Sequence, residues 1–397
     1  MAVREFPDLL VSVGEEGSDP IVTHDGGDHR VDEFARSGHL ERMAADLGDV
    51  AGLGVRVVRH GMPWRLTEPE PGTYDWTLWD RMLATCEAQG LEPIVDLLHF
   101  GLPDHLPGFV DRSFVEAFWR YVDAFLARYP RIAWFTPVNE PGVHALMSAR
   151  FGLWNDRRAE EGAYATALAN IVEANLGAIA RIRADRDGWW VGSEGFPCHL
   201  DDGAGAAPEA DDARSDDWLV WDLHFGVEPR GTGARIAERI DADQRARIDA
   251  LAVRDHRRVV AGHDVYPIGL RRRGAPVTDL PDPPTTAGAY ATEAQAWHAR
   301  YGVDAWIAET SNLGYPPEEQ VAWLDAIAGV VEGLRTDGIP HHGLCWYSRG
   351  DQFDWHTALT RPVGEITPVG LFRQDRTPRP SAAALAALAG RWGRADG

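Results

Sequence analysis

Eight short runs of β-branched and aromatic residues alternate along this chain with stretches of helical period, and that alternation admits few folds. The runs are Leu9–Val13, Val55–Arg59, Ile94–Phe100, Phe135–Asn139, Trp189–Ser193, Val259–Tyr266, Ala305–Ala308 and Gly343–Tyr347. Helices are expected over Val31–Ala51, Tyr74–Gln89, Arg112–Tyr129, Ala159–Ala184 and Ala382–Leu388. In the first of these, Phe34, Leu40, Met43, Ala44 and Leu47 recur on one face. Gly90 closes the second. Strand–helix alternation with no composition break predicts the α/β class and a single (β/α)8 TIM barrel spanning residues 1–397. Two stretches interrupt the rhythm: acidic Asp201–Asp217 and Pro/Thr-rich Gly274–Gly288. Both are expected as long surface loops, a mobile lid being the alternative.

Composition narrows the partners. At 397 residues and 44% hydrophobic content the chain can bury a large core. A net charge of −22 repels phosphate backbones, so neither nucleic acid nor an anionic membrane is expected as a partner. All 39 basic residues are arginine, which excludes a Schiff-base or lysine-base mechanism. Cys86, Cys198 and Cys345 are too few and too scattered for a disulfide framework or a zinc site. No His/Asp/Glu cluster has ligand spacing, so no metal and no cofactor are expected. Met1 to Asp8 lacks an apolar core of signal-peptide length, and no run is long enough to span a bilayer; the expected location is cytoplasmic.

Two stretches carry the chemistry. Trp134-Phe135-Thr136-Pro137-Val138-Asn139-Glu140-Pro141 is an apolar run that stops at a carboxylate, with prolines that cannot continue a ladder. Asp304-Ala305-Trp306-Ile307-Ala308-Glu309-Thr310 is a second run ending in a glutamate. These are the fourth and seventh strands, whose C-terminal ends lie at the catalytic face of a barrel. A carboxyl pair across that mouth is what cleavage of a glycosidic bond requires. Alone, either glutamate is as well explained by a helix cap. Trp64, Trp134, Trp306, Trp346 and Trp355 lie at or near expected strand ends, where aromatic faces could pack on sugars; core packing is the bland reading for most of them.

The chain resembles glycoside hydrolase family 1, the β-glucosidase family within the clan of retaining (β/α)8 glycosidases. Val57-Val58-Arg59-His60 with Pro63-Trp64-Arg65 resembles the family's strand 2 segment. His99-Phe100-Gly101-Leu102-Pro103 resembles His-Trp-Asp-Leu-Pro, and Thr136 to Pro141 resembles Thr-Phe-Asn-Glu-Pro. Gly262-His263-Asp264-Val265-Tyr266 resembles Gly-Leu-Asn-Tyr-Tyr, and Ile307-Ala308-Glu309-Thr310 resembles Ile-Thr-Glu-Asn. Ser348 to Trp355 resembles Ser-Leu-Leu-Asp-Asn-Phe-Glu-Trp, and Gly370 to Ser381 the C-terminal signature. The resemblance implies a retaining, exo-acting hydrolase of a β-linked glycoside. Glu309 would be the nucleophile and Glu140 the acid/base. Tyr266 would orient Glu309, and Arg59 would help keep it ionised. Asn139 would hold the sugar 2-hydroxyl and His99 the 3-hydroxyl. Trp346 or Tyr347, with Asp354 and Trp355, would complete the sugar site.

Departures from the family pattern bear on the substrate. The strand 1 glutamine is missing, and Glu15 or Glu16 stands near its place. The family's strand 8 glutamate aligns with the shorter Asp354, and the asparagine after the nucleophile with Thr310. Such changes predict a glycone other than glucose: galactose, fucose, a pentose or a furanose. The stretch Trp355 to Leu371 has no lysine, which disfavours a 6-phosphorylated sugar. The chain is short for the family, which suggests a more open aglycone side. A transglycosidase using the same glutamates, or a non-catalytic sugar-binding barrel, are the other readings. The chain keeps both glutamates, which weighs against the last.

Overall fold

The computed structural model describes residues 5–200 and 214–393. Its centre is a closed parallel barrel of β1 Leu10–Glu15, β2 Val57–Gly61, β3 Glu92–Asp96, β4 Trp134–Thr136, β5 Trp189–Val191, β6 Val259–Asp264, β7 Ala305–Thr310 and β8 His341–Tyr347. Each strand pairs with its neighbours in chain order, and β8 returns to β1, so the barrel sheet has no free edge. After a break, β5 resumes as Glu194–Gly195 beside His263 and Asp264.

Alternation of side chains sorts the strands into two layers. Leu10, Val57, Ile94, Trp134, Val191, Val260, Trp306 and Cys345 point inward and pack as one cluster. Phe6 closes the bottom, its ring edge-on to Trp134 at 5.3 Å and to Trp306 at 5.9 Å. Val11, Val58, Val95, Phe135, Ile307, Leu344 and Trp346 point outward into a larger cluster shared with the helices. The longer helices are α1 His39–Gly52, α2 Thr77–Gln89, α3 Ser113–Arg128, α4 Glu161–Arg186, α5 Ala242–Leu251, α6 Pro283–Tyr301, α7 Gln320–Thr336 and α8 Pro380–Trp392.

The expected helix over Val31–Ala51 is two helices. Asp32 caps Glu33–Ser37 by accepting the Ala35 N–H, and Gly38 ends it at a φ of 67° before α1 begins. The third, fourth, fifth and sixth strands end earlier than the sequence suggests. Pro137 stops β4 at Thr136, and β3 stops at Asp96, whose carboxylate accepts the Leu98 N–H. The Pro/Thr-rich stretch is a loop only in part. Arg271–Arg272 pairs with Ala275–Pro276, and α6 starts at Pro283 with Asp282 accepting the Thr285 N–H. Its prolines occupy the first turn, where a missing N–H costs nothing. The expected loop Asp201–Asp217 falls mostly outside the described residues; residues 214–217 are helical. Among the described residues, no helix is long and apolar enough to cross a membrane.

Candidate active site

At the C-terminal ends of the strands the inward rows turn polar. Arg59, Asp96, Thr136, Asp264 and Tyr347 continue the inward faces of β2, β3, β4, β6 and β8. Glu309 breaks this rule. Trp306 and Ala308 face inward, so strict alternation would send Glu309 out to the helices. The register of β7 shifts against β6 between Ile307 and Glu309, and against β8 between Ile307 and Thr310. That irregularity re-aims the carboxylate into the barrel mouth. Thr310 faces out instead, donating to Val265 O and accepting the Trp323 indole N–H.

Both oxygens of Glu309 have donors. Arg59 Nη1 reaches Oε1 at 2.5 Å and the Tyr266 hydroxyl donates to Oε2 at 2.8 Å. Arg59 is a fully buried hub. Its Nη2 donates to Asp96 at 2.8 Å and to Asn139 Oδ1 at 2.6 Å, and Glu16 Oε1 lies 3.2 Å from Nη1. Burial opposes the guanidinium charge, but Glu16, Asp96, Glu309 and Asp264 outweigh it and raise the pKa well above its ordinary value. Glu16 is pushed upward by burial, with Arg59 opposing and Glu309 and Asp96 adding to the rise.

Glu140 occupies a left-handed backbone conformation, with a φ of 39°. Such a conformation is costly for a non-glycine residue and persists only where the surroundings fix it. Its N–H donates to Ser193 O, Asn139 N–H donates to Leu98 O, and Pro141 opens the short helix Pro141–Ala145. Burial raises the Glu140 carboxyl well above the carboxylate range; Glu309 and then Glu194 add to the rise. Oxygens of Glu140, Asp264 and Glu309 all lie within 4.8 Å of one another. Three such carboxylates form an oxygen-only set of the type that hard cations favour. They are equally served by sharing protons, which the raised pKa values of Glu140 and Asp264 favour. Glu194, raised by burial to about 8, accepts the Gly142 and Gly195 N–H groups and fixes the turn behind Glu140.

A cavity of about 180 Å³ opens between the two glutamates. His99, Phe100, Tyr347 and Trp355 give it aromatic walls, and Tyr266, Ser311 and Gln352 add polar groups. A second cavity of about 320 Å³ meets the first at Glu140, Val143 and Tyr266. The structure brings Glu140, Glu309, His99, Tyr266, Tyr347 and Trp355 to the first cavity. Arg59 and Asn139 lie buried behind it, tied to Glu309 and to each other.

Two expected sugar contacts are corrected. Trp346 points out of the barrel, donating its indole N–H to Val369 O among the helices; period-2 alternation gives the cavity to Tyr347. Asp354 is turned away, its oxygens accepting the N–H groups of Gly364 and Glu365 and an Arg36 contact. Gln352, two residues earlier, lines the cavity instead. Of the two glutamates at the end of β1, Glu15 pairs with Arg349 at 2.7 Å, while Glu16 faces Arg59. Trp64, Trp134 and Trp306 are core residues. Asp264, Ser193, Asp96, Glu194 and Gln352 escaped sequence reasoning; inward register at a strand end was the signal for Asp96 and Asp264.

A sequence model described as glycosyl hydrolase family 1 matches residues 22–187. The chain is 25% identical over 395 residues to a β-glucosidase of Agrobacterium sp. (strain ATCC 21400), covering 88% of this chain and 84% of that protein. It is 25% identical over 158 residues to an aryl-phospho-β-D-glucosidase of Bacillus subtilis (strain 168), covering 35% of this chain and 33% of the relative. Its fold is similar to that of a family 1 β-glucosidase from Thermotoga maritima, with a TM-score of 0.81 at 17% identity. That likeness covers 98% of this chain and 99% of the other.

Proposed function

We propose that the chain is a divergent member of glycosyl hydrolase family 1 and that it cleaves a β-linked glycoside by double displacement, releasing a terminal sugar. The whole chain is read as one catalytic barrel. Glu309 attacks the anomeric carbon while Glu140 gives its proton to the leaving oxygen. The glycosyl–Glu309 ester is then opened by a water from which Glu140 takes a proton. Tyr266 and Arg59 orient Glu309 through the bonds to its two oxygens. Asn139, whose Nδ2 has no partner among the described residues, serves the sugar 2-hydroxyl, and His99 a neighbouring one.

One observation carries the reading: oxygens of Glu140 and Glu309 approach within 4.8 Å. An oxygen approach this close favours the narrow carboxyl spacing of a retaining pair, about 5–5.5 Å between the groups, over the roughly 6.5–9.5 Å that admits a water in an inverting pair. The shifted Glu140 supports it, because a general acid must hold its proton near neutral pH.

The glycone is proposed to differ from glucose. Phe100 lacks the indole donor of the resembling motif, Asp354 is turned away, and the strand 1 glutamine is missing. A site without those donors and acceptors gains little from the hydroxyls they would read. The three cysteines are free and buried, which fits action in a reducing compartment such as the cytoplasm. The test is hydrolysis of a panel of nitrophenyl glycosides by the wild type, Glu140→Ala and Glu309→Ala. Both variants should lose roughly a hundred- to ten-thousandfold or more in turnover on the best substrate. Robust activity in Glu309→Ala would remove the nucleophile, and glucose as clearly the best glycone would overturn the substrate proposal.

A further inference from the structure

Asp264 stands on the inward face of β6, where the resembling motif carries an amide. Its Oδ2 lies 2.6 Å from Ser193 Oγ, and the same hydroxyl lies 2.8 Å from Asn139 Oδ1. The Asn139 amide cannot be turned round, because Arg59 Nη2 donates to that oxygen at 2.6 Å. A guanidinium facing an NH2 group would set donor against donor. Two oxygen–oxygen contacts this short each need a proton. Ser193 supplies one and Asn139 Oδ1 has none, so the other sits on Asp264. The remaining carboxyl oxygen, Oδ1, is buried with no hydrogen-bond partner among the described residues, and a carboxyl oxygen of Asp264 lies within 4.8 Å of one of Glu140.

We infer that Asp264 is a neutral carboxylic acid in the working enzyme, a positioning residue that ties the acid/base Glu140 through Ser193 to Asn139. The inference rests on the reading of Glu140 as acid/base. The groups facing Asp264 agree with it. Burial acts first, then repulsion from Glu309 on β7 and from Glu140 after β4, and together they raise its pKa well above the carboxylate range. Arg59 on β2 and the Ser193 hydroxyl act the other way and are outweighed. Tyr266, two residues past the end of β6, donates to Glu309.

The arrangement conserves protons. Glu140 gives one to the leaving oxygen and regains one from water, and Asp264 keeps its own. With Asp264 neutral, the Glu140 carboxylate left after proton transfer lies beside a hydrogen-bonding acid rather than a second anion. An asparagine could make the same bonds, accepting through Oδ1 and donating through Nδ2 to Ser193. A leucine could make neither.

The experiment is infrared difference spectroscopy of the unliganded wild type against Asp264→Asn near neutral pH, with turnover of an aryl glycoside by Asp264→Asn and Asp264→Leu. A protonated-carboxyl C=O stretch should be present in the wild type and lost in Asp264→Asn. Turnover should fall tenfold or more in Asp264→Leu and recover most of that loss in Asp264→Asn. A difference spectrum that loses only carboxylate bands would overturn the inference, as would an asparagine variant no more active than leucine. Should Asp264→Asn not fold, Ser193→Ala tests the same bond. It should shift the acid band of the wild type, and an unmoved band overturns the assignment. The band does not need turnover, so a protein silent on every glycoside would count against the hydrolase reading while the spectrum still decides Asp264.

Discussion

Tyr266 makes one hydrogen bond to Glu309, at 2.8 Å, and that bond sets a measurable quantity. A hydrogen bond to a charged group contributes about 1.5–3 kcal/mol. Tyr266→Phe should therefore lower kcat by roughly ten- to a hundredfold with the fold intact, as read by steady-state kinetics beside circular dichroism. An unchanged kcat would mean that Tyr266 does not orient the nucleophile. Glu140 predicts the pH profile. On the proposed mechanism its proton is needed for the first step, and burial with Glu309 and Glu194 raises its pKa. Activity should therefore fall as pH rises, on a limb well above the ordinary glutamate range of about 4.3. A limb at ordinary glutamate values would contradict that environment. At this scale the sequence was most legible where a residue type is chemically irreplaceable. Glu140 and Glu309 each end an apolar run. Asp354 and Gln352 were not separable, because two residues of loop register decide which one reaches the cavity, and backbone N–H groups of Gly364 and Glu365 decide it.

At the scale of elements, the site depends on segments that depart from regular structure. The slipped register of β7 turns Glu309 inward, and a strict alternating reading would have misplaced it. The strand 8 loop is clamped by Glu33, whose Oε2 accepts the Phe353 N–H at 2.8 Å. Burial raises Glu33 from 4.5 to about 8, with the Phe353 N–H and Arg36 opposing. The folded state then binds more protons than the unfolded state between those values. This contribution to stability is fully present below about pH 4.5 and is lost as pH rises through about 8. Thermal unfolding should show a lower Tm at about pH 8.5 than at about pH 5, and Glu33→Gln should flatten that difference. An equally steep dependence in the variant would place the titrating group elsewhere. Helix starts were the least legible elements. Pro283 and Pro284 read as a loop, although Asp282 and the prolines together make a helix N-terminus.

For the whole molecule, closure of the barrel is what holds the two glutamates face to face, and closure leaves no spare volume between β5 and β6. A Cβ on Gly262 would lie 1.8 Å from Gly192 O and 2.6 Å from the Ala308 Cβ. Trp306 also donates its indole N–H to Gly192 O at 3.2 Å, which fixes that carbonyl. Gly262→Ala should cost more than about 3 kcal/mol and lower Tm or soluble yield sharply; a variant with wild-type Tm would contradict the packing. The strand–helix order gave the architecture from sequence because each inward run must bury a face. Cavity shape was not legible, since it depends on loops that meet only after closure. A double displacement inverts the anomeric carbon twice, so the stereochemistry of the first-formed sugar reports on it. Hydrolysis of the best β-aryl glycoside should be followed by proton NMR faster than mutarotation. The β anomer should appear first; the α anomer appearing first would show a single inverting displacement and remove Glu309 as nucleophile.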